Sequence, residues 1–259
     1  MVAITSLQKE HIMQAVQDMY TEVASKPDKQ FHFPTGRPAC EYVGYPAAQL
    51  DALPETAVES FAGVGYPFAA DLIRQGDHVL DVGSGSGTDV MIAAMLTGNQ
   101  GQVYGLDMTA AMRDKLHANA RLAGFDHISV IPGNAEDIPL HDGSVDVVTS
   151  NGVLNLVPDK RGAFSEIYRI LKPGGRVQIA DIVVNKEISE QCRQDPKLWS
   201  ECIVGAMEEQ DYLGLFREVG FREVKALSHL DYFAASASKE TRDVAASFGA
   251  ITVVMQAIK

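Results

Sequence analysis

Apolar residues follow two different periods along this chain. Ile12, Val16, Met19 and Val23 recur at spacings of three and four, so residues 1 to about 30 are predicted to be helical with one apolar face, stopped at Pro27. From residue 78 onward, short apolar and β-branched runs alternate with helical stretches. Strands are expected at 78–82, 101–107, 128–131, 144–151 and 176–184, with helices at 89–96, 110–123 and 164–171. Such alternation predicts an α/β fold with a doubly wound sheet and helices on both faces. Lys172-Pro173-Gly174-Gly175 is expected to stop one helix and turn the chain into the fifth strand. A helix at 211–219 leads to late strands at 224–227 and 249–257, joined by a long polar loop that permits an antiparallel edge pair.

Between the first helix and the first strand, no period holds. Phe31-His32-Phe33-Pro34, Gly44-Tyr45-Pro46, Leu53-Pro54-Glu55 and Gly63-Val64-Gly65-Tyr66-Pro67 make an aromatic segment rich in turns. A long irregular segment of this kind suits a lid or site wall. The chain is therefore divided into an N-terminal lid segment, 1–70, and a catalytic-type α/β domain, 71–259.

The densest chemistry lies where the first strand ends, in Val79-Leu80-Asp81-Val82-Gly83-Ser84-Gly85-Ser86-Gly87-Thr88-Asp89. Strand, glycine loop and helix in succession place a ligand over the carboxyl end of the sheet. A dinucleotide fingerprint needs Gly-x-Gly-x-x-Gly, whereas here the third glycine comes one residue early and Thr88 takes its place. Asp81, two residues before the first glycine, would repel a pyrophosphate and attract an ammonium or sulfonium. Both features weigh against a nicotinamide oxidoreductase. Asp107 closes the second strand about twenty residues past the loop, where a carboxylate can accept hydrogen bonds from both ribose hydroxyls.

Charge narrows the partners. With 22 basic and 34 acidic side chains the chain carries a net charge of -12, which disfavours a phosphate backbone, so no nucleic-acid partner is expected. No apolar run approaches the ~20 residues of a membrane span, and no membrane association is expected. Three cysteines, Cys40, Cys192 and Cys202, form neither a disulfide framework nor a Cys-x-x-Cys pair, and no metal site is expected. A reducing compartment fits that count, and with no apolar leader at the start the expected location is cytoplasmic.

The motif Asp-x-Gly-x-Gly-x-Gly resembles that of the class I S-adenosylmethionine-dependent methyltransferases. The resemblance implies a seven-stranded Rossmann-like sheet of order 3-2-1-4-5-7-6 and S-adenosylmethionine as cofactor. It further implies cofactor contacts at Asp81, Gly83, Ser84, Gly85, Gly87, Asp107, Met108, Ala135, Glu136 and Asn151, with Ala135 and Glu136 near the adenine edge. Longer stretches, among them Ser150-Asn151-Gly152-Val153-Leu154-Asn155-Leu156-Val157-Pro158-Asp159-Lys160 and Cys202-Ile203-Val204-Gly205-Ala206, look like arsenite methyltransferases across roughly residues 40–228.

That family holds trivalent arsenic with three cysteine thiolates, soft ligands for a soft centre. The matching positions here are Val64, Gly152 and Cys202, so two of the three thiols are missing. Cys40 and Cys192 fall on no family position. The departure points to a small acceptor that brings its own soft nucleophile, a low-molecular-weight thiol or sulfide. Arsenite methylation with external thiols, and a cofactor-binding protein without turnover, stand as alternatives. Tyr45, Asn151, Asn155 and Cys202 are the candidates for the acceptor pocket, and His32 and His229 are weaker ones.

Overall fold

Val79 and Leu80 point to opposite faces of the first strand and are both fully buried, which requires a packed layer on each side of the sheet. The computed structural model, which describes residues 6–186, 188 and 203–259, supplies both layers. Val79, Val103 and Val147 pack with the helix Thr88–Thr97 and the N-terminal segment. Leu80, Leu106 and Val148 pack with Phe164, Ile167, Tyr212 and Phe216 on the other face.

The strands are β1 (His78–Val82), β2 (Gln102–Asp107), β3 (Ile128–Pro132), β4 (Val145–Asn151), β5 (Leu171–Val184), β6 (Met207–Glu208), β7 (Arg222–Leu230) and β8 (Ile251–Ile258). Their order is β3-β2-β1-β4-β5-β8-β7, with the two-residue β6 pairing the end of β5. Setting β6 aside, this is the expected 3-2-1-4-5-7-6. β1 to β5 are parallel, and β8 runs antiparallel between β5 and β7. The strand order reverses at β1, whose neighbours are β2 and β4, so a crevice opens above these three carboxyl ends.

The helices are α1 (Ser6–Ser25), α2 (Gly36–Tyr42), α3 (Ala47–Leu50), α4 (Glu55–Val58), α5 (Thr88–Thr97), α6 (Ala110–Leu122), α7 (Lys160–Ile170), α8 (Glu209–Val219) and α9 (Lys239–Phe248). Three readings of the sequence are corrected here. The segment between 31 and 67 carries three short helices, α2 to α4, where no period was legible. Their buried faces, including Ala39, Cys40, Leu50, Ala57 and Val58, join the core that also holds Val79 and Val103.

Lys172 to Gly175 lies within β5: Leu171 pairs Val145 and Arg176 pairs Val147, so the intervening residues bulge out of the ladder. The polar loop before β8 contains α9, which Ser238 caps by accepting from Thr241 N at 3.2 Å and Gly249 ends at φ 62°. Its helical signal was hidden because only Thr241 and Ala245 of this helix are buried. Among the described residues no helix is long and apolar enough to cross a membrane.

Candidate active site

The glycine loop turns back over β1 because Gly83, at φ +75°, adopts a left-handed conformation that a side chain would resist. A Cβ there would also lie 2.2 Å from Val153 Cγ2, so only glycine lets the β4 loop approach. Above the loop lies a cleft of about 1060 Å³ counting its open mouth, the size of a small-molecule site. Of the expected cofactor contacts, Asp81, Gly83, Ser84, Gly85, Asp107, Met108, Ala135, Glu136 and Asn151 line it. Gly87 does not: at φ 102° it is the N-cap of α5.

Asp107 sits on the β2 flank. Its Oδ2 accepts from Gly85 N at 2.9 Å and its Oδ1 from Thr109 N at 2.8 Å, so one carboxylate joins the glycine loop to the start of α6. Burial pushes its pKa up, against the pull of those two bonds. Glu136 faces the cleft from the loop after β3, and its carboxylate is committed to Lys9 of α1 and to Asp159 N.

On the β4 flank, Asn151 holds the N-terminal segment against the core. Its Oδ1 accepts from Val64 N at 2.8 Å and Gly65 N at 3.2 Å, while Nδ2 lies within bonding distance of Gly65 O, Tyr45 Oη and Asp89 Oδ2. The Tyr45 hydroxyl donates to Asp89 Oδ1 at 2.5 Å. Asp89 was not anticipated as a site residue. It lines the cleft from the first turn of α5, is 6% exposed, and is the only charged residue of that helix. A lone acid in an otherwise apolar helix was the available signal.

Asp81, 3% exposed, accepts from Thr149 Oγ1 at 2.6 Å. Burial drives its pKa well up, and Asp89 adds to that rise. Burial likewise raises Asp89 to about 6, partly offset by the bonds from Tyr45 and Asn151. Two buried acids on one cleft suit a ligand that carries positive charge.

The acceptor candidates separate. Tyr45 is buried behind the cleft wall, packed edge-on against Phe61 and Tyr66. Asn155 is also buried and off the cleft, its N–H bonded to Asp181 Oδ2 at 2.8 Å. Cys202 and Cys192 lie outside the described residues. Cys40 is fully buried in α2, off the cleft, and burial raises its thiol pKa. His32 packs edge-on against Phe33, and His229 bonds Glu209 at 2.9 Å.

Val64 and Gly152 are brought together: a Cβ at 152 would lie 3.1 Å from Val64 Cγ1. Gly152 lines the cleft, as do Phe61 and Gly63 from the segment before the core and Met13, Val16 and Tyr20 from α1. Gln17 Nε2 also reaches Met108 O at 3.3 Å, so α1 roofs the cleft.

Comparison with known proteins places this geometry. A family model described as a methyltransferase domain matches residues 73–220. An arsenite methyltransferase of Halobacterium salinarum is 36% identical over 71% of this chain and 47% of its own length. One from Aquipseudomonas alcaligenes is 40% identical over 61% of this chain and 48% of its own. The chain thus spans about half the length of these curated relatives. The crystal structure of an arsenic(III) S-adenosylmethionine methyltransferase from Chlamydomonas reinhardtii superposes with a TM-score of 0.69 at 32% identity, covering 87% of this chain and 73% of that one.

Proposed function

The chain belongs to the S-adenosylmethionine-dependent methyltransferase family, and from that premise we propose that it methylates a small soft nucleophile, a low-molecular-weight thiol or sulfide. The residues present fit the cofactor. Gly83 and Gly85 leave the backbone bare above β1, Asp107 offers a carboxylate for ribose hydroxyls, and Asp81 and Asp89 offer buried acids that a cation at the methionine end would hold ionised. When bound, S-adenosylmethionine supplies a methyl group activated by its sulfonium.

The protein's contribution is alignment and exclusion of water. Tyr20, Phe61 and Leu156 provide apolar wall, and α1 covers the cleft from above. No strong base is needed beside a thiol acceptor, since a thiol of pKa ~8.5 is already a few per cent ionised at neutral pH.

One observation carries the choice of acceptor: Val64 and Gly152 are adjacent, and neither offers a donor atom where the resembled family places thiolates. A metalloid held at this point would lack two of its soft ligands, whereas a thiol or sulfide needs none. The arsenic-specific names of the relatives favour a second reading, arsenite methylation with external thiols completing the ligand set.

Incubation with methyl-labelled donor and a panel of sulfide, methanethiol, larger thiols, selenite and arsenite, with volatile products trapped, separates these readings. Turnover of small thiols without arsenite turnover is expected. The Cys202→Ser variant should keep thiol methylation within several-fold. Strong arsenite turnover that Cys202→Ser abolishes would overturn the thiol reading, and no turnover of any acceptor would favour a binding protein.

A further inference from the structure

We infer that Asp89 distinguishes the sulfonium donor from the thioether product, its carboxylate stabilising a positively charged sulfur in the cleft and gaining nothing from a neutral one. The inference rests on the family's cofactor and not on the identity of the acceptor. Donor and product share an ammonium and a carboxylate and differ by one positive charge at sulfur. A residue that separates them must therefore respond to that charge.

Asp89 is placed to respond. It lines the cleft beside Asp81, and among the described residues neither carboxylate has a cationic partner. Asp89 raises the pKa of its ionisable neighbours, Asp81, the hydroxyls of Tyr45 and Tyr66, and the Cys40 thiol, while Asp107 adds to the repulsion on Asp81. All are acids or neutral. The hydroxyl of Ser84, a residue 6% exposed on the same cleft, has no hydrogen-bond partner among the described residues. The cleft is thus built with more negative and polar capacity than the protein itself satisfies.

Two hydrogen bonds keep Asp89 from becoming a plain buried acid. Tyr45 Oη and Asn151 Nδ2 point at its two oxygens and favour the ionised form, while burial favours the protonated one, and the balance falls at about 6. Bringing a positive charge alongside tips that balance to the carboxylate and expels a proton. A neutral sulfur tips it less. The carboxylate also holds the donor's charge before transfer, when it is concentrated at sulfur, more strongly than in the transition state, when it is dispersing. Removing it should therefore raise the KM for donor without lowering kcat.

Titration calorimetry of the full chain with S-adenosylmethionine and with S-adenosylhomocysteine, near pH 6 in buffers of different ionisation enthalpy, reads the proton count directly. Donor binding should release more protons than product binding, by at most about half a proton. Asp89→Asn should abolish that difference, weaken donor binding ~10-fold and leave product binding within ~2-fold. Tyr45→Phe removes one bond that favours the carboxylate, so it should move the pH midpoint of proton release upward. Equal proton release by donor and product in the parent would overturn the inference, as would equal weakening of both ligands by Asp89→Asn. Should that variant fail to fold, a midpoint unmoved by Tyr45→Phe would do so alone.

Discussion

The two flanks of the cleft are held together in different ways. On the β2 flank, Asp107 bonds the glycine loop and the start of α6 while facing the ligand space. On the β4 flank, Asn151 ties the N-terminal segment to the core, and next to it Gly152 lines the cleft with bare backbone packed against the buried Val64. The first flank fixes its own loop and helix through one carboxylate, while the second gathers distant segments through one amide and leaves no side chain at position 152.

Asp107→Ala tests the β2 flank and should have the largest effect. Two charge-assisted hydrogen bonds at ~1.5 to 3 kcal/mol each imply a donor affinity lower by two orders of magnitude or more. Loss of the acceptor for Gly85 N and Thr109 N adds loosening of the loop. Calorimetry with a circular-dichroism melt of the variant checks this; undiminished affinity in a folded variant would remove Asp107 from the ribose role.

Asp181 sharpens the comparison from outside the cleft. It too is buried and raised to about 6, yet it serves only the fold, accepting from Tyr212 Oη at 2.7 Å, Asn155 N at 2.8 Å and Ile182 N at 2.9 Å. Asp181→Asn should cost ~1 to 3 kcal/mol of stability at pH 7 and leave the donor-to-product preference unchanged. The sign of the pH effect is fixed. A folded pKa above the unfolded ~3.9 means folding takes up a proton between pH ~4 and ~6, so this group's contribution is most favourable below pH ~4 and is lost as pH rises through ~6. Denaturant melts across that window should show a shallower pH-dependent decline in the variant than in the parent.

The smallest effect is expected at Val64 and Gly152. Val64→Cys with Gly152→Cys restores two thiols at adjacent positions and should give ~10-fold greater arsenite retention by mass spectrometry. Donor affinity should stay within ~2-fold. Absence of any gain would show that adjacency of the two positions does not suffice for a soft site. Gly152, at φ +72°, is the costlier of the two substitutions.

Each part of the molecule was legible in the sequence to the degree that its cause is local. β1 to β5 and α5 to α7 could be read because a buried parallel strand is a short apolar run and an amphipathic helix repeats every 3.6 residues. The glycine loop and Asp107 were legible because backbone approach and strand-end position are encoded in spacing. α9 was hidden by its polarity, and α2 to α4 by helices too short to show a period.

What only the tertiary structure decided are the meetings of distant residues. Tyr45, Asp89 and Asn151 converge from the N-terminal segment, α5 and β4, and Val64 meets Gly152 across 88 positions of chain. The pKa of Asp89 belongs to the same category. Its rise comes from burial beneath segments far away in sequence, offset by hydrogen bonds from two of them, and no local pattern encodes the dielectric around a side chain.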